Sequence, residues 1–418
     1  MSLIAQALGR MRGKSDGAIA ARPFSDLSAY KMLAQGRKMA AMLGIESPFF
    51  RSAEGMQGRM TLIDGQPVLN FAWCDYLGLS QHPELIAAGK AAMDRYGTTV
   101  SASRMVSGDT PVHRDLEKEI ADFLGVDASI VFVSGHAANV STIGSLMTDS
   151  DLIVHDEFVH NSAVMGVRLS GATARPFRHN RLEKLESILG EERARYRNCM
   201  VVIEGLYSTE GDIPDLARVV EIKEKFGAWL MVDDAHGAGV LGTGARGLAE
   251  HCGVDPRKVD IWMGTLSKAF ASVGGYIAGD SELIEVLKHS APGFVFSVGL
   301  PPPMGAVALT ALRIIRCEPE RVARLHKNGK QFLEEAHARG LDTGRSLGYG
   351  MLPIMVGAST RAAKLVHRMY ARGINTSLII YPGVPLNAGR LRFFLTSEFT
   401  PEEIRSAVQT AAEEIKQV

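Results

Sequence analysis

Two stretches of this chain carry residue types that could do chemistry together. In Trp229-Leu230-Met231-Val232-Asp233-Asp234-Ala235-His236-Gly237, an acidic pair and a histidine follow directly on a continuous apolar run. Such a run reads as a buried strand, and ligands in open α/β sheets bind just beyond the carboxyl ends of strands. A carboxylate placed there can hold a cationic ring nitrogen. The bland alternative is that Asp233 or Asp234 caps the helix that follows. About thirty residues later, Trp262-Met263-Gly264-Thr265-Leu266-Ser267-Lys268-Ala269-Phe270 follows a second apolar run and leads to Gly274-Gly275. A lysine in that setting is partly desolvated, which lowers its pKa and makes Lys268 a usable amine nucleophile.

A third part is an anion cradle. Thr265 and Ser267 offer hydroxyls, and Ser134-Gly135-His136-Ala137-Ala138-Asn139 lies between an apolar run at 130–133 and a helical pattern. Free backbone N–H groups and the helix dipole favour a phosphate at such a junction. Amine, ring-nitrogen carboxylate and phosphate cradle are the parts that a phosphorylated aldehyde cofactor needs together, held as a Schiff base on Lys268.

These residues need rigid elements to position them. Short apolar runs at 130–133, 152–154, 200–203, 229–232, 261–263 and 276–278 alternate with helix-period segments such as 83–96 and 112–124. Continuous apolar strands between helices imply a mainly parallel sheet buried on both faces, so the fold class is α/β. Residues 61–72 read as a hairpin about Asp64-Gly65. After Leu300-Pro301-Pro302-Pro303 comes a long helical stretch, then strand, helix, strand, strand, helix from Leu352 onward. The expected organisation is an N-terminal arm at 1–60, a large cofactor domain at 61–300 and a small C-terminal α/β domain at 301–418. A chain of 418 residues is long enough for both cores.

Composition narrows the partners. Basic and acidic side chains balance at 46 each, so no long-range field favours nucleic acid or an anionic membrane. The apolar runs are far short of a membrane span, and the first residues lack an apolar signal core. Cys74, Cys199, Cys252 and Cys317 form no C-x-x-C pair, against a disulfide framework or a zinc site. A soluble cytoplasmic protein without a metal, acting on small molecules, is expected.

From about Asp75 onward the chain resembles the α-oxoamine synthases, fold-type I pyridoxal-phosphate transferases that include 8-amino-7-oxononanoate synthase and serine palmitoyltransferase. The resemblance implies that Asp233 salt-bridges the pyridine nitrogen, His236 bonds the cofactor's phenolic oxygen and Lys268 carries the cofactor. Glu204-Gly205-Leu206-Tyr207-Ser208-Thr209-Glu210-Gly211-Asp212 resembles the family's E-G-x-x-S-x-x-G-D element, which places Ser208 by that oxygen and Glu204 nearby. His160 takes the place of the histidine that stacks on the pyridine ring and touches the substrate carboxylate. Thr265 and the amides of Gly135 and His136 would bind phosphate, with Ser134 and Ser267 beside them. Ser297 resembles a hydroxyl residue that reaches the phosphate from a partner subunit, which implies a homodimer with shared sites. Arg390-Leu391-Arg392 resembles the family's R-L-R element, whose second arginine binds the amino acid carboxylate bidentately.

Departures point to a branch. Cys74 precedes Asp75-Tyr76-Leu77-Gly78 where the family often has asparagine, and His136 replaces an aromatic residue. With Thr98-Thr99-Val100-Ser101-Ala102-Ser103-Arg104, these resemble members found with polyketide synthases, in which the acyl donor sits on an acyl carrier protein instead of coenzyme A. The implied reaction is decarboxylative condensation of glycine, alanine or serine with an acyl thioester. Ser103-Arg104-Met105 and Phe177-Arg178-His179-Asn180 resemble serine palmitoyltransferase and favour serine; Asp75 and Ser103 join Arg392 as substrate residues. An aminotransferase on the same scaffold and a non-catalytic cofactor-binding regulator are the competing classes.

Overall fold

The computed structural model describes residues 21–418. The first part of the expected N-terminal arm, residues 1–20, lies outside the described residues. The chain divides into two compact units, one ending at Phe50 and the other spanning Arg51–Val418. In the first, a helix at Ser28–Met42 buries none of its own side chains.

The second unit begins with the expected hairpin, β1 (Met60–Ile63) and β2 (Gln66–Asn70), paired antiparallel around Asp64-Gly65. Both turn residues have positive φ, 51° and 74°, which suits an Asp-Gly turn. Helix α1 (Pro83–Tyr96) starts on a proline at its first turn, and α2 (Pro111–Leu124) opens on a capping box between Thr110 and His113.

The large sheet has seven strands: β3 (Ala128–Phe132), β4 (Leu152–Asp156), β5 (Thr173–Phe177), β6 (Cys199–Glu204), β7 (Trp229–Asp233), β8 (Ile261–Thr265) and β9 (Gly275–Gly279). Their spatial order is β3-β9-β8-β7-β6-β4-β5, and β9 alone runs against the others. Side chains alternate between two cores. Val131, Val154, Val201, Val232 and Trp262 face one, while Ile130, Ile153, Val202, Met231 and Met263 face the other. Each such buried side chain contributes roughly 2 kcal/mol. Helices α3 (Gly135–Leu146), α4 (Asn161–Ser170), α5 (Leu182–Glu192) and α6 (Leu216–Phe226) connect the parallel strands.

Beyond α7 (Ser281–Ser290), the long helical stretch is two helices, α8 (Pro302–Cys317) and α9 (Glu320–Ala338). They part at Pro319, which has no N–H to continue α8. A three-stranded antiparallel sheet follows, β10 (Met351–Gly357), β11 (Ser377–Ile379) and β12 (Gly389–Phe394), with β12 central. Helices α10 (Ser359–Ala371) and α11 (Pro401–Glu414) complete the C-terminal part.

The carboxyl edge of the large sheet is tied by His179, just past β5. Its Nδ1 lies 3.1 Å from the carboxylate of Asp156, at the end of β4, and its Nε2 lies 3.0 Å from that of Asp212. Burial alone would depress the imidazole, but hydrogen bonds and charge from both carboxylates outweigh it and push the pKa up to about 9. The folded state therefore favours the charged ring. The stability this supplies is complete below the ordinary 6.5 and is lost as pH rises through about 9. Replacing His179 by Asn is expected to cost roughly 3 kcal/mol at about pH 6 and progressively less toward pH 10, read from denaturant unfolding at both ends.

Candidate active site

The parallel strands deliver their ends to one cavity of about 380 Å³. Ser134 follows β3, His160 follows β4, Glu204 ends β6, Asp233 ends β7 and Thr265 ends β8. Also on its wall are Gly135, His136, Ser208, His236, Ser267, Lys268 and Arg392. Twelve of the fifteen residues singled out in the sequence thus converge on one space.

At the phosphate end, Ser134 caps α3 by accepting from the Ala137 amide at 3.0 Å, and the amides of Gly135 and His136 begin the helix. A Cβ on Gly275 would lie 2.5 Å from the Cα of Gly135, so only glycine lets β9 approach the cradle this closely. Thr265 donates to the Gly274 carbonyl at 3.0 Å and sits 2.9 Å from the Ser267 hydroxyl.

At the other end, burial lowers the Lys268 amine below its ordinary value, against the opposing pull of Cys74, Asp233 and Glu204. Glu204 accepts the Ser208 amide at 3.0 Å. Burial first, then the charge of Asp233, pushes its carboxyl far up, and its Oε1 is buried with no hydrogen-bond partner among the described residues. His236 is held through Nδ1 by the Tyr76 hydroxyl at 2.7 Å, and burial with the charges of Lys268 and Arg392 keeps it neutral. Arg392 donates from Nη1 to the Ser208 carbonyl at 2.9 Å and lies over the Phe394 ring, 4.5 Å from its centroid. Its Nε is buried and has no hydrogen-bond partner among the described residues. Pyridoxal phosphate fits this set: a cradle with hydroxyls and helix amides, an acid opposite, an amine between, and unpaired polar atoms for a carboxylate.

Three expected residues lie elsewhere. The Asp75 carboxylate is occupied by the amides of Leu79 and Ser80, at 2.9 and 3.1 Å, and faces a neighbouring cleft with Arg321 and Glu398. The Ser103 hydroxyl accepts from the Met105 amide in its own turn, 3.3 Å away. Ser297 is outside the cavity and contacts the carbonyl of Val298. Besides apolar lining, three polar cavity residues had been assigned no role. Cys74, whose thiol burial pushes up, lies against Lys268 and Arg392; Asn139 and Ser162 join Asp233 to His160. Asn139 ends the stretch quoted for the phosphate cradle and Ser162 lies two residues after His160, where polar residues amid apolar helix positions were the available signal.

The acidic pair divides its labour. Asp233 faces the cavity, whereas Asp234 accepts the Leu248 amide at 3.0 Å and caps the short helix that follows. Complete burial raises the Asp234 carboxyl from 3.8 to about 8, so it is neutral in the fold. Its stabilising protonation is lost as pH rises through about 8. Asp234→Asn, uncharged throughout, is expected to fold and to gain stability relative to the parent as pH rises from about 4 to 8, checked by thermal unfolding at each pH.

Residues 66–410 match the family described as aminotransferase class I and II. The chain is 37% identical to the 8-amino-7-oxononanoate synthase of Thermoanaerobacter pseudethanolicus over 85% of this chain and 90% of that one. It is 39% identical to the enzyme of that name from Fervidobacterium nodosum, over 86% and 91%. Among solved structures, a variant of the serine palmitoyltransferase from S. paucimobilis with a bound pyridoxal phosphate–myriocin aldimine superposes with a TM-score of 0.91 at 27% identity, covering 95% of this chain and all of that one. The chain belongs to the aminotransferase class I and II family and, within it, to the pyridoxal-phosphate-dependent α-oxoamine synthases.

Proposed function

We propose that the enzyme condenses a small amino acid with an acyl thioester, releasing carbon dioxide and a free thiol and forming an α-amino ketone. The observation that carries this reading is the convergence of Lys268, His160, Asp233 and Arg392 on one cavity.

Pyridoxal phosphate supplies an aldehyde for the substrate amine and a cationic ring that accommodates the electron pair freed at the α-carbon. Asp233 holds the ring nitrogen's proton, and Asn139 braces that carboxylate at 2.7 Å. His236 and Ser208 would hold the phenolic oxygen; Ser134, Thr265, Ser267 and the amides of Gly135 and His136 would hold the phosphate. Lys268, depressed by burial, takes the α-proton as a neutral amine and returns it after decarboxylation. Arg392 pairs the substrate carboxylate through its free Nε and remaining guanidinium edge. His160, on the cavity wall, would pack on the ring and steady the same carboxylate.

The donor is glycine, alanine or serine. The residues that favoured serine have structural duties: Ser103 closes a turn, and His179 bridges Asp156 and Asp212. An 8-amino-7-oxononanoate synthase is named for an amino ketone whose amine-bearing carbon carries a methyl group, which is what alanine leaves after losing its carboxylate. Identity of 37% to such enzymes supports alanine first; the structural likeness to serine palmitoyltransferases keeps serine as the second reading. The acyl carrier is coenzyme A or an acyl carrier protein.

We further propose a homodimer in which Ser297 reaches its partner's phosphate. Phe296 and Val106 are 86% and 81% exposed, and their loops adjoin through the Gly299 amide and Ala102 carbonyl, 3.1 Å apart. A second copy would cover these apolar side chains.

Titrating the purified enzyme with each amino acid while recording the visible spectrum identifies the donor. Adding acyl-coenzyme A or acyl carrier protein and measuring free thiol and carbon dioxide then tests the condensation. A requirement for a keto acid acceptor, with no thiol released, would show an aminotransferase instead. Lys268→Ala is expected to abolish the cofactor's Schiff-base absorbance and to reduce turnover at least ~10²-fold. Arg392→Ala should weaken amino acid binding by about 2 to 4 kcal/mol, measured by the same spectral titration.

A further inference from the structure

An unbroken polar chain runs beneath the cavity. Asn139 on α3 and Ser162 on α4 are each 1% exposed. The Asn139 amide Nδ2 lies 2.7 Å from Asp233 Oδ2 and 2.9 Å from Ser162 Oγ, and the Ser162 hydroxyl lies 2.7 Å from His160 Nδ1.

The chemistry of each group sets the direction of these bonds. A carboxylate only accepts, so the atom of Asn139 facing Asp233 is its NH₂. That NH₂ has two hydrogens; one goes to Asp233 and the other to Ser162 Oγ. Ser162 Oγ, already accepting, turns its own hydrogen to the neighbouring acceptor, His160 Nδ1. The Ser162 backbone N–H, 3.3 Å from the same nitrogen, also points a hydrogen at it. With two donors aimed at Nδ1, that nitrogen carries the lone pair and the ring's proton sits on Nε2.

We propose that Asn139 and Ser162 are positioning residues that lock His160 as the neutral Nε2–H tautomer, so that it presents a hydrogen-bond donor to the substrate carboxylate. Its catalytic consequence rests on the synthase reading above; the tautomer itself does not. Through the same chain, Asp233 orients His160, so the acid at the ring nitrogen and the ring stacked on the cofactor are set by one array. Asn139 Oδ1 is buried with no hydrogen-bond partner among the described residues, so the amide is oriented by its NH₂. A neutral donor also suits a carboxylate that must depart, because it holds the anion less tightly than a second cation would.

The test is ¹⁵N NMR of histidine-labelled protein, with and without cofactor, the His160 signals being identified by their loss in His160→Gln. The parent is expected to show His160 neutral with the proton on Nε2 at about pH 7.5. Ser162→Ala should redistribute that proton toward Nδ1, and Ser162→Thr should restore it. In kinetics, Ser162→Ala is expected to lower kcat for condensation ~10-fold or more while leaving the Lys268 absorbance band in place, with Thr recovering most of the loss. A parent His160 that is charged or protonated on Nδ1 overturns the proposal without any variant. So does an unchanged tautomer in both Ser162→Ala and Asn139→Ala. If no amino acid perturbs the cofactor spectrum of the parent, the synthase reading fails, while the NMR result still decides the tautomer.

Discussion

Three carboxyl groups end three adjacent buried strands. Asp156, Glu204 and Asp233 close β4, β6 and β7, and Glu204 and Asp233 are register partners. Like charges this close, removed from water, cannot all persist unaided. Each is settled differently. Asp156 is met by the charged imidazole of His179. Glu204 takes up a proton because burial and its neighbour's charge leave it no alternative. Asp233 is braced by Asn139 and faces the Lys268 amine across the cavity. The row therefore offers, side by side, a compensated anion, a neutral acid and an acid available to a cationic ring nitrogen. Once a parallel sheet brings these strand ends together, the polar contacts of the site follow from the need to accommodate them.

The same need explains why two consecutive aspartates behave so unlike each other. Asp234 points away from the cavity into a space bounded by glycines: a Cβ on Gly205, Gly237 or Gly247 would run into its carboxyl oxygens. Enclosed there, it is held neutral and spends one oxygen on capping a helix. Of the two readings of the acidic pair, the helix-end contact falls to Asp234, while Asp233 faces the cavity, where the ring-nitrogen role is proposed for it. Its geometry also fixes the chain's departure from β7 and thereby the placement of His236.

Much of this was legible in the chain. Strands buried on both faces announce themselves as unbroken apolar runs, and six of the seven were visible that way. The seventh, β5, reads Thr173-Ala174-Arg175-Pro176-Phe177; as an edge strand half open to water it can carry an arginine and a proline, so it lacks the signature. The strand-end residues of the site were found because each follows a recognisable run. Asn139 and Ser162 were not assigned roles, since their importance lies in a bond between two different helices, and spacing along one chain does not encode it. Asp75 stands outside the cavity for a related reason. Its motif sits beside the site, but its carboxylate is consumed by the two amides of the turn it closes.

The C-terminal sheet reaches the site through one strand, and alternation along that strand does the positioning. On β12, Leu391 enters the core while Arg390 and Arg392 share the opposite face. Arg390 is spent on the Thr209 carbonyl and the Glu210 carboxylate, and Arg392 on the neighbouring Ser208 carbonyl. Both thus grip the segment that carries Ser208 beside the cofactor site. Pairing Arg390 with Glu210 removes a charge that would otherwise repel Arg392, and it fixes the strand against the segment that follows β6. Arg392 is then held at one nitrogen and open at another, so it can meet a carboxylate without first being ordered. A single arginine would have had to anchor the strand and bind the substrate at once; two, one residue apart from a core leucine, separate those tasks.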